Sequence, residues 1–177
     1  MIKKTNFKGL YIFKKKKFQD SRGFFMELLK SKDLKKNFPF VMCSYSKKNV
    51  IRGLHFQTNN SQGKYVSVIR GKIFDVALDL REKSKTFSKV FTIILSEKNC
   101  KSIYIPEGFA HAFCSLSKDT TIIYSSTKYR DPNSEIIIKY NDENLKINWP
   151  IKRPIVSRKD LKGMTYEEYL KKYHLKK

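Results

Sequence analysis

The hexapeptide Arg52-Gly53-Leu54-His55-Phe56-Gln57 sets a fixed cation and a near-neutral base within one short apolar run. Histidine can take up or release a proton near neutral pH, and arginine forks onto phosphate or carboxylate oxygens. Lys64, in Gln62-Gly63-Lys64-Tyr65-Val66, opens the next apolar run and adds a second cation. A lone histidine is most often a hydrogen-bonded core residue. With Arg52 and Lys64 so near in sequence, the balance moves towards a site that holds an anion and moves a proton.

The elements that must aim these groups are short strands. Side chains alternate along a strand, so Val50, Arg52, Leu54 and Phe56 share one face, while Ile51, His55 and Gln57 lie on or near the other. Gly53 marks a bulge or a close backbone approach, and period alone leaves the facing of Arg52 relative to His55 open. From Phe40 onward apolar runs cover 40–45, 50–57, 64–70, 72–80, 90–95, 101–105, 109–116, 120–127 and 135–140. Asn59-Asn60-Ser61, Arg70-Gly71-Lys72 and Ser117-Lys118-Asp119 supply turns between them. This spacing predicts an antiparallel sandwich or barrel. Ahead of it, residues 7–14 read as an edge strand blunted by the Lys14 to Lys17 run. Arg22 and Glu27 flank an aromatic hairpin, Leu28 to Asn37 forms a short amphipathic helix stopped by Pro39, and Tyr166 to Lys172 a C-terminal helix.

A chain of 177 residues fits one domain, here 1–177 with residues 161–177 as a helical tail, and needs no metal or disulfide to hold it. The formal charge of +22 raises nucleic acid as a partner. Only seven of the 38 basic residues are arginine, however, and the lysines are scattered. Arginine is the residue that reads bases and grips phosphate bidentately, so neither nucleic acid nor membrane is expected, and the basicity suits a small acidic substrate. Cys43, Cys100 and Cys114 form no Cys-x-x-Cys pair; with no apolar leader or span, a reducing cytoplasmic setting is expected.

Six motifs in order carry a resemblance: Asp20-x-Arg22-Gly23-x-Phe25, Arg52 to Gln57, Gln62-Gly63-Lys64, Phe74 to Arg81, Ile105 to His111, and Ile147-Asn148-Trp149-Pro150. From about Phe7 to Asp160 the chain resembles the dTDP-4-dehydrorhamnose 3,5-epimerase family. The resemblance implies a mainly β, cupin-type antiparallel jelly-roll barrel with a few short helices, no cofactor, and a homodimer exchanging N-terminal strands. It also implies epimerisation of dTDP-4-dehydro-6-deoxy-D-glucose at C3 and C5, on the way to dTDP-L-rhamnose. Cupin metal sites use a His-x-His pair with further ligands; His55 and His111 stand far apart in sequence, so no metal is expected.

By the same resemblance His55 is the base, Asp160 its orienting carboxylate, Lys64 the cation beside the C4 ketone and Tyr124 the proton donor on the opposite sugar face. Arg22, Glu27, Arg52, Gln57, His111, Tyr129, Glu135 and Lys159 fall on substrate-contacting positions. Read without it, Asp160 is a solvated carboxylate, Lys64 a surface lysine, Tyr124 a core tyrosine, His111 a structural histidine and His174 a solvated tail residue. Phe40-Val41-Met42-Cys43 stands where the family often carries substrate-contacting Gln and Asn before Ser-x-Ser. Rival readings are a one-position epimerase, an epimerase of another nucleotide-linked 4-keto sugar, and a non-catalytic jelly roll that binds sugar nucleotides or polyanions.

Overall fold

A computed structural model describes residues 1–174; the last three positions of the expected helical tail lie outside the described residues. The strands are β1 Ile2–Lys4, β2 Tyr11–Lys14, β3 Lys17–Asp20, β4 Gly23–Met26, β5 Phe40–Lys47, β6 Val50–Gln57 and β7 Lys64–Arg70. They continue with β8 Lys72–Asp79, β9 Val90–Ser96, β10 Lys101–Ile105, β11 Phe109–Ser115, β12 Asp119–Ser126, β13 Glu135–Ile137 and β14 Ile155–Val156. Helices are few and short: α1 Ser31–Leu34, α2 Arg158–Leu161 and α3 Tyr166–Tyr173.

Two sheets form a jelly roll, one in the order β1-β2-β10-β7-β12-β5 and the other β13-β6-β11-β8-β9, with β14 added alongside β6. Only the β14–β6 pairing among these is parallel. Val66, Val68, Ile103 and Ile122 of the first sheet meet Ile73, Ala77, Leu95 and Phe113 of the second in a shared core. The outer face of the second sheet is covered separately. There Leu54, Val76, Ala110 and Ala112 pack beneath Tyr166 and Tyr169 of α3. Thr165 caps α3 by accepting from the Glu168 amide while the Glu168 carboxylate accepts from the Thr165 amide, which satisfies two of the helix's free N–H groups.

The apolar runs predict the strands from Phe40 to Ser126 to within a residue or two at each end. Differences concentrate near the N-terminus. The edge strand is β1, and β2 lies inside it, paired to both β1 and β10. The expected helix over Leu28 to Asn37 shrinks to the four residues of α1, none of them buried; with no apolar face to cover, the segment gains little from continuing the helix. Among the described residues β3 and β4 pair only with each other, leaving Phe18, Phe24 and Phe25 exposed. Arg22 and Glu27 do not pair across this hairpin: Arg22 binds Asp20 and Glu27 binds Lys30. His174 is not solvated either. Its ring bridges Glu82 (2.7 Å) and the Tyr169 hydroxyl (2.9 Å), fastening the end of α3 to the loop after β8.

Candidate functional site

Leu54 and Phe56 belong to the outer cluster of the second sheet, so His55 between them faces inward. Arg52 would then have to face outward. It does not, because the register slips: His111 pairs with His55, and Phe113 with Arg52. Two residues of β11 therefore span three steps of β6, the geometry of a bulge, and both Arg52 and His55 reach the same cavity. Gly53 is the residue that permits this. Its φ is +115°, and a Cβ there would stand 2.5 Å from both the Ala112 Cβ and the His111 carbonyl oxygen. No L side chain fits that approach.

The cavity occupies about 200 Å³ between the sheets, at the end where their facing positions turn polar. The first sheet contributes Ser44, Lys64 and Tyr124, the second Arg52, His55 and His111. Tyr124 thus lies across the cavity from His55, on the opposing sheet.

His55 Nε2 meets Asp160 Oδ1 at 2.7 Å, with the histidine side chain 31% exposed and the aspartate 5%. Burial pushes the Asp160 carboxyl up, but hydrogen bonds from His55, the Gly53 amide and Ser157 outweigh it and hold the group below the usual carboxylate range. Asp160 is placed by α2, whose cap Ser157 accepts from the Asp160 amide at 3.0 Å. With Nε2–H donating to a fixed anion, the neutral ring keeps its lone pair on Nδ1, the form a general base needs.

Lys64 enters from the start of β7, where burial pulls its ammonium down to about 8 against the opposing pull of Glu135 and Asp75. The Tyr124 hydroxyl lies 3.0 Å from Ser44 Oγ, and burial raises it above the ordinary phenol range. Such a hydroxyl stays protonated and can give its proton only to a strongly basic carbon or oxygen. Arg52 is held by Ser46 Oγ (3.1 Å) and the Tyr45 carbonyl (3.0 Å). Glu135 accepts from Arg130 (2.8 Å) and Lys159 (2.5 Å). Burial works against its ionisation, yet these cations and His55 keep it at about 2. Glu135 also borders an open cleft of about 940 Å³ in which Lys139, Lys159 and Lys162 stand.

Of the residues singled out in the sequence, His55, Lys64, Tyr124, Arg52, His111 and Glu135 line one cavity. Asp160 backs it through His55, and Lys159 reaches it through Glu135. Gln57 is buried, with its amide committed to the Asn60 carbonyl and the Asp131 N–H. Tyr129 is exposed and rests on Phe40 with ring centroids 5.7 Å apart. Arg22 and Glu27 stay on the N-terminal hairpin with their own ion partners, outside the cavity. Asp75 escaped the sequence reading. It is fully buried, and its Oδ2 takes a 2.8 Å bond from His111 Nε2. A carboxylate inside the apolar run Phe74 to Leu80 was the available signal, since buried aspartate is rare without a partner.

The model of the dTDP-4-dehydrorhamnose 3,5-epimerase family matches residues 4–168. A dTDP-4-dehydrorhamnose 3,5-epimerase of Shigella flexneri is 39% identical over 170 residues, 92% of this chain and 94% of its own length. One of Neisseria gonorrhoeae is 43% identical over 89% of this chain, which spans only 50% of that longer relative. Among solved structures, a dTDP-6-deoxy-D-glucose-3,5-epimerase of Legionella pneumophila Philadelphia 1, in complex with dTDP-4-keto-L-rhamnose, superposes with a TM-score of 0.89. It is 39% identical, and the match covers 93% of this chain and 92% of that one. Motifs, fold and relatives converge, and the chain belongs to the dTDP-4-dehydrorhamnose 3,5-epimerase family.

Proposed function

We propose that the protein epimerises dTDP-4-dehydro-6-deoxy-D-glucose at C3 and C5, giving dTDP-4-dehydro-L-rhamnose. The observation that carries this reading is the placement of His55, oriented by Asp160, and Tyr124 on opposing sheets of one cavity that Lys64 also enters. Protons on carbons beside a ketone are acidic only if the enolate oxygen is stabilised. His55 takes the proton from one face of the sugar, the Lys64 ammonium stands against the developing C4 oxyanion, and the Tyr124 hydroxyl returns a proton from the other face. The electron pair of the broken C–H bond moves into the enolate and back to carbon. Proton exchange with solvent then returns His55 to its neutral form and Tyr124 to its phenol, and a second cycle at the other carbon completes both inversions.

A hexose ring suits a cavity of about 200 Å³, so the nucleotide must lie outside it. Of the two arginines that line the cavity, Arg130 is paired with Glu135, and Arg52 is assigned to the diphosphate, with Glu135 and Lys159 at the rim. The N-terminal hairpin fits the same reading as an exchanged element in a homodimer. Its three exposed phenylalanines need cover, and its Arg22 and Glu27 have no place in the cavity of their own chain. Among the described residues no helix is long and apolar enough to cross a membrane; we assign the protein to the cytoplasm, as a single domain.

The test is incubation of the purified protein with dTDP-4-dehydro-6-deoxy-D-glucose, followed by reduction and identification of the hexose. Rhamnose configuration supports the reading. Recovery of unchanged sugar from active-concentration enzyme rejects it, and inversion at one carbon alone replaces it with a one-position epimerase. Light scattering that gives a dimer mass, reduced to monomer by Phe24→Ser with Phe25→Ser, supports the exchanged hairpin.

A further inference from the structure

Met42 offers the cavity an apolar, partly exposed surface in an otherwise polar wall. The other aliphatic or phenyl group there, Phe113, is 2% exposed and belongs to the core between the sheets. Met42 is also the direct cross-strand partner of Tyr124 in the β5–β12 ladder. Directly opposed side chains share a face, with Cβ atoms about 4.5–5.5 Å apart. Met42 is therefore the apolar neighbour of the Tyr124 side chain on that wall of the cavity.

We propose that Met42 determines specificity by packing on the C6 methyl group and so selects a 6-deoxy sugar over its 6-hydroxy counterpart. The inference rests on the proposed reaction. If Tyr124 delivers a proton to C5, the methyl bonded to C5 is the one apolar substituent of the hexose, and it sits next to Met42. A hydroxyl at C6 would face sulfur and methylene groups that cannot satisfy it. The choice of methionine also suits the chemistry. Inversion at C5 swings the methyl group from the Tyr124 side towards the His55 side, and an unbranched thioether can follow that movement where a branched side chain would clash or lose contact. The polar group available on the same strand, Ser44, is occupied by Tyr124.

The experiment compares kcat/KM for dTDP-4-dehydro-6-deoxy-D-glucose and for dTDP-4-dehydro-D-glucose, which carries a hydroxyl at C6, in the unsubstituted protein, Met42→Gln and Met42→Ala. The expected preference for the 6-deoxy substrate is about 10- to 100-fold, the usual reach of an apolar subsite. Met42→Gln keeps the length of the side chain and should narrow that preference about tenfold, chiefly by gain on the hydroxylated sugar. Met42→Ala should narrow it by loss on the 6-deoxy sugar, and it decides the matter if the glutamine variant does not fold. A preference unchanged in both variants overturns the role of Met42 while leaving the reaction standing. An unsubstituted protein inert towards both sugars instead overturns the reaction, and the Met42 proposal with it.

Discussion

Two histidines stand in direct register on neighbouring strands and each binds an aspartate, His55 with Asp160 of α2 and His111 with Asp75 of β8. Their bond lengths are nearly the same, 2.7 and 2.8 Å. Their surroundings are not. The His55 side chain is 31% exposed into the cavity, and its carboxylate is tied by a serine cap and a backbone amide. The His111 side chain is 5% exposed, and the second oxygen of Asp75 has no hydrogen-bond partner among the described residues. One pair is open to a substrate on one side and fixed on the other, as a base must be. The other is nearly closed to solvent, with the His111 ring at the cavity wall 6.2 Å from the Tyr124 ring, centroid to centroid.

The comparison breaks first at His55. Replacement by alanine should lower kcat/KM by about 10⁴-fold, the upper end of what a positioned base contributes, measured by product formation with the 4-keto sugar nucleotide. Asp160→Asn keeps the shape and loses the charge, and should cost about 10²-fold in kcat with little change in KM. Asp75→Ala should behave differently. It leaves a buried imidazole N–H unpaired, at a cost of about 1–3 kcal/mol, so thermal denaturation should show the lowered stability while turnover falls less than in Asp160→Asn. A larger loss of turnover from Asp75→Ala than from Asp160→Asn would show the two roles reversed.

The smallest expected effect is in the pH profile. Burial holds the Lys64 ammonium at about 8, so its charge is complete below that pH and is lost as pH rises through it. Turnover should therefore decline on the alkaline side near pH 8. The Asp75 charge favours the Lys64 ammonium, so Asp75→Asn should move that decline to lower pH. A limb that stays in place in Asp75→Asn would remove Asp75 from the electrostatics of the site.

The strands of the jelly roll were legible because each is a short apolar run closed by turn residues, and the inward and outward alternation mostly follows from the same pattern. Alternation failed at Gly53, where one inserted residue reverses every facing beyond it. The glycine announced an irregularity without saying that it would put Arg52 and His55 on one wall. Asp160 lies 105 residues from His55, and Tyr124 comes from the other sheet; no local pattern joins them, and only the family resemblance named them together. His174 and the N-terminal hairpin were read by composition, as a lysine-rich tail and a plain turn. Composition carries no information about the Glu82 and Tyr169 contacts of the first, or about the uncovered phenylalanines of the second.

The most direct test of a two-faced site is Tyr124→Phe in heavy water with dTDP-4-dehydro-6-deoxy-D-glucose, followed by mass spectrometry and NMR of the recovered sugar. With His55 intact and the opposite proton donor gone, C5 should gain deuterium and keep its original configuration, because abstraction and return both occur on the His55 face. Full inversion at C3 and C5 by this variant would contradict the assignment of Tyr124 and, with it, the account of the cavity as a base and an acid set on opposing sheets.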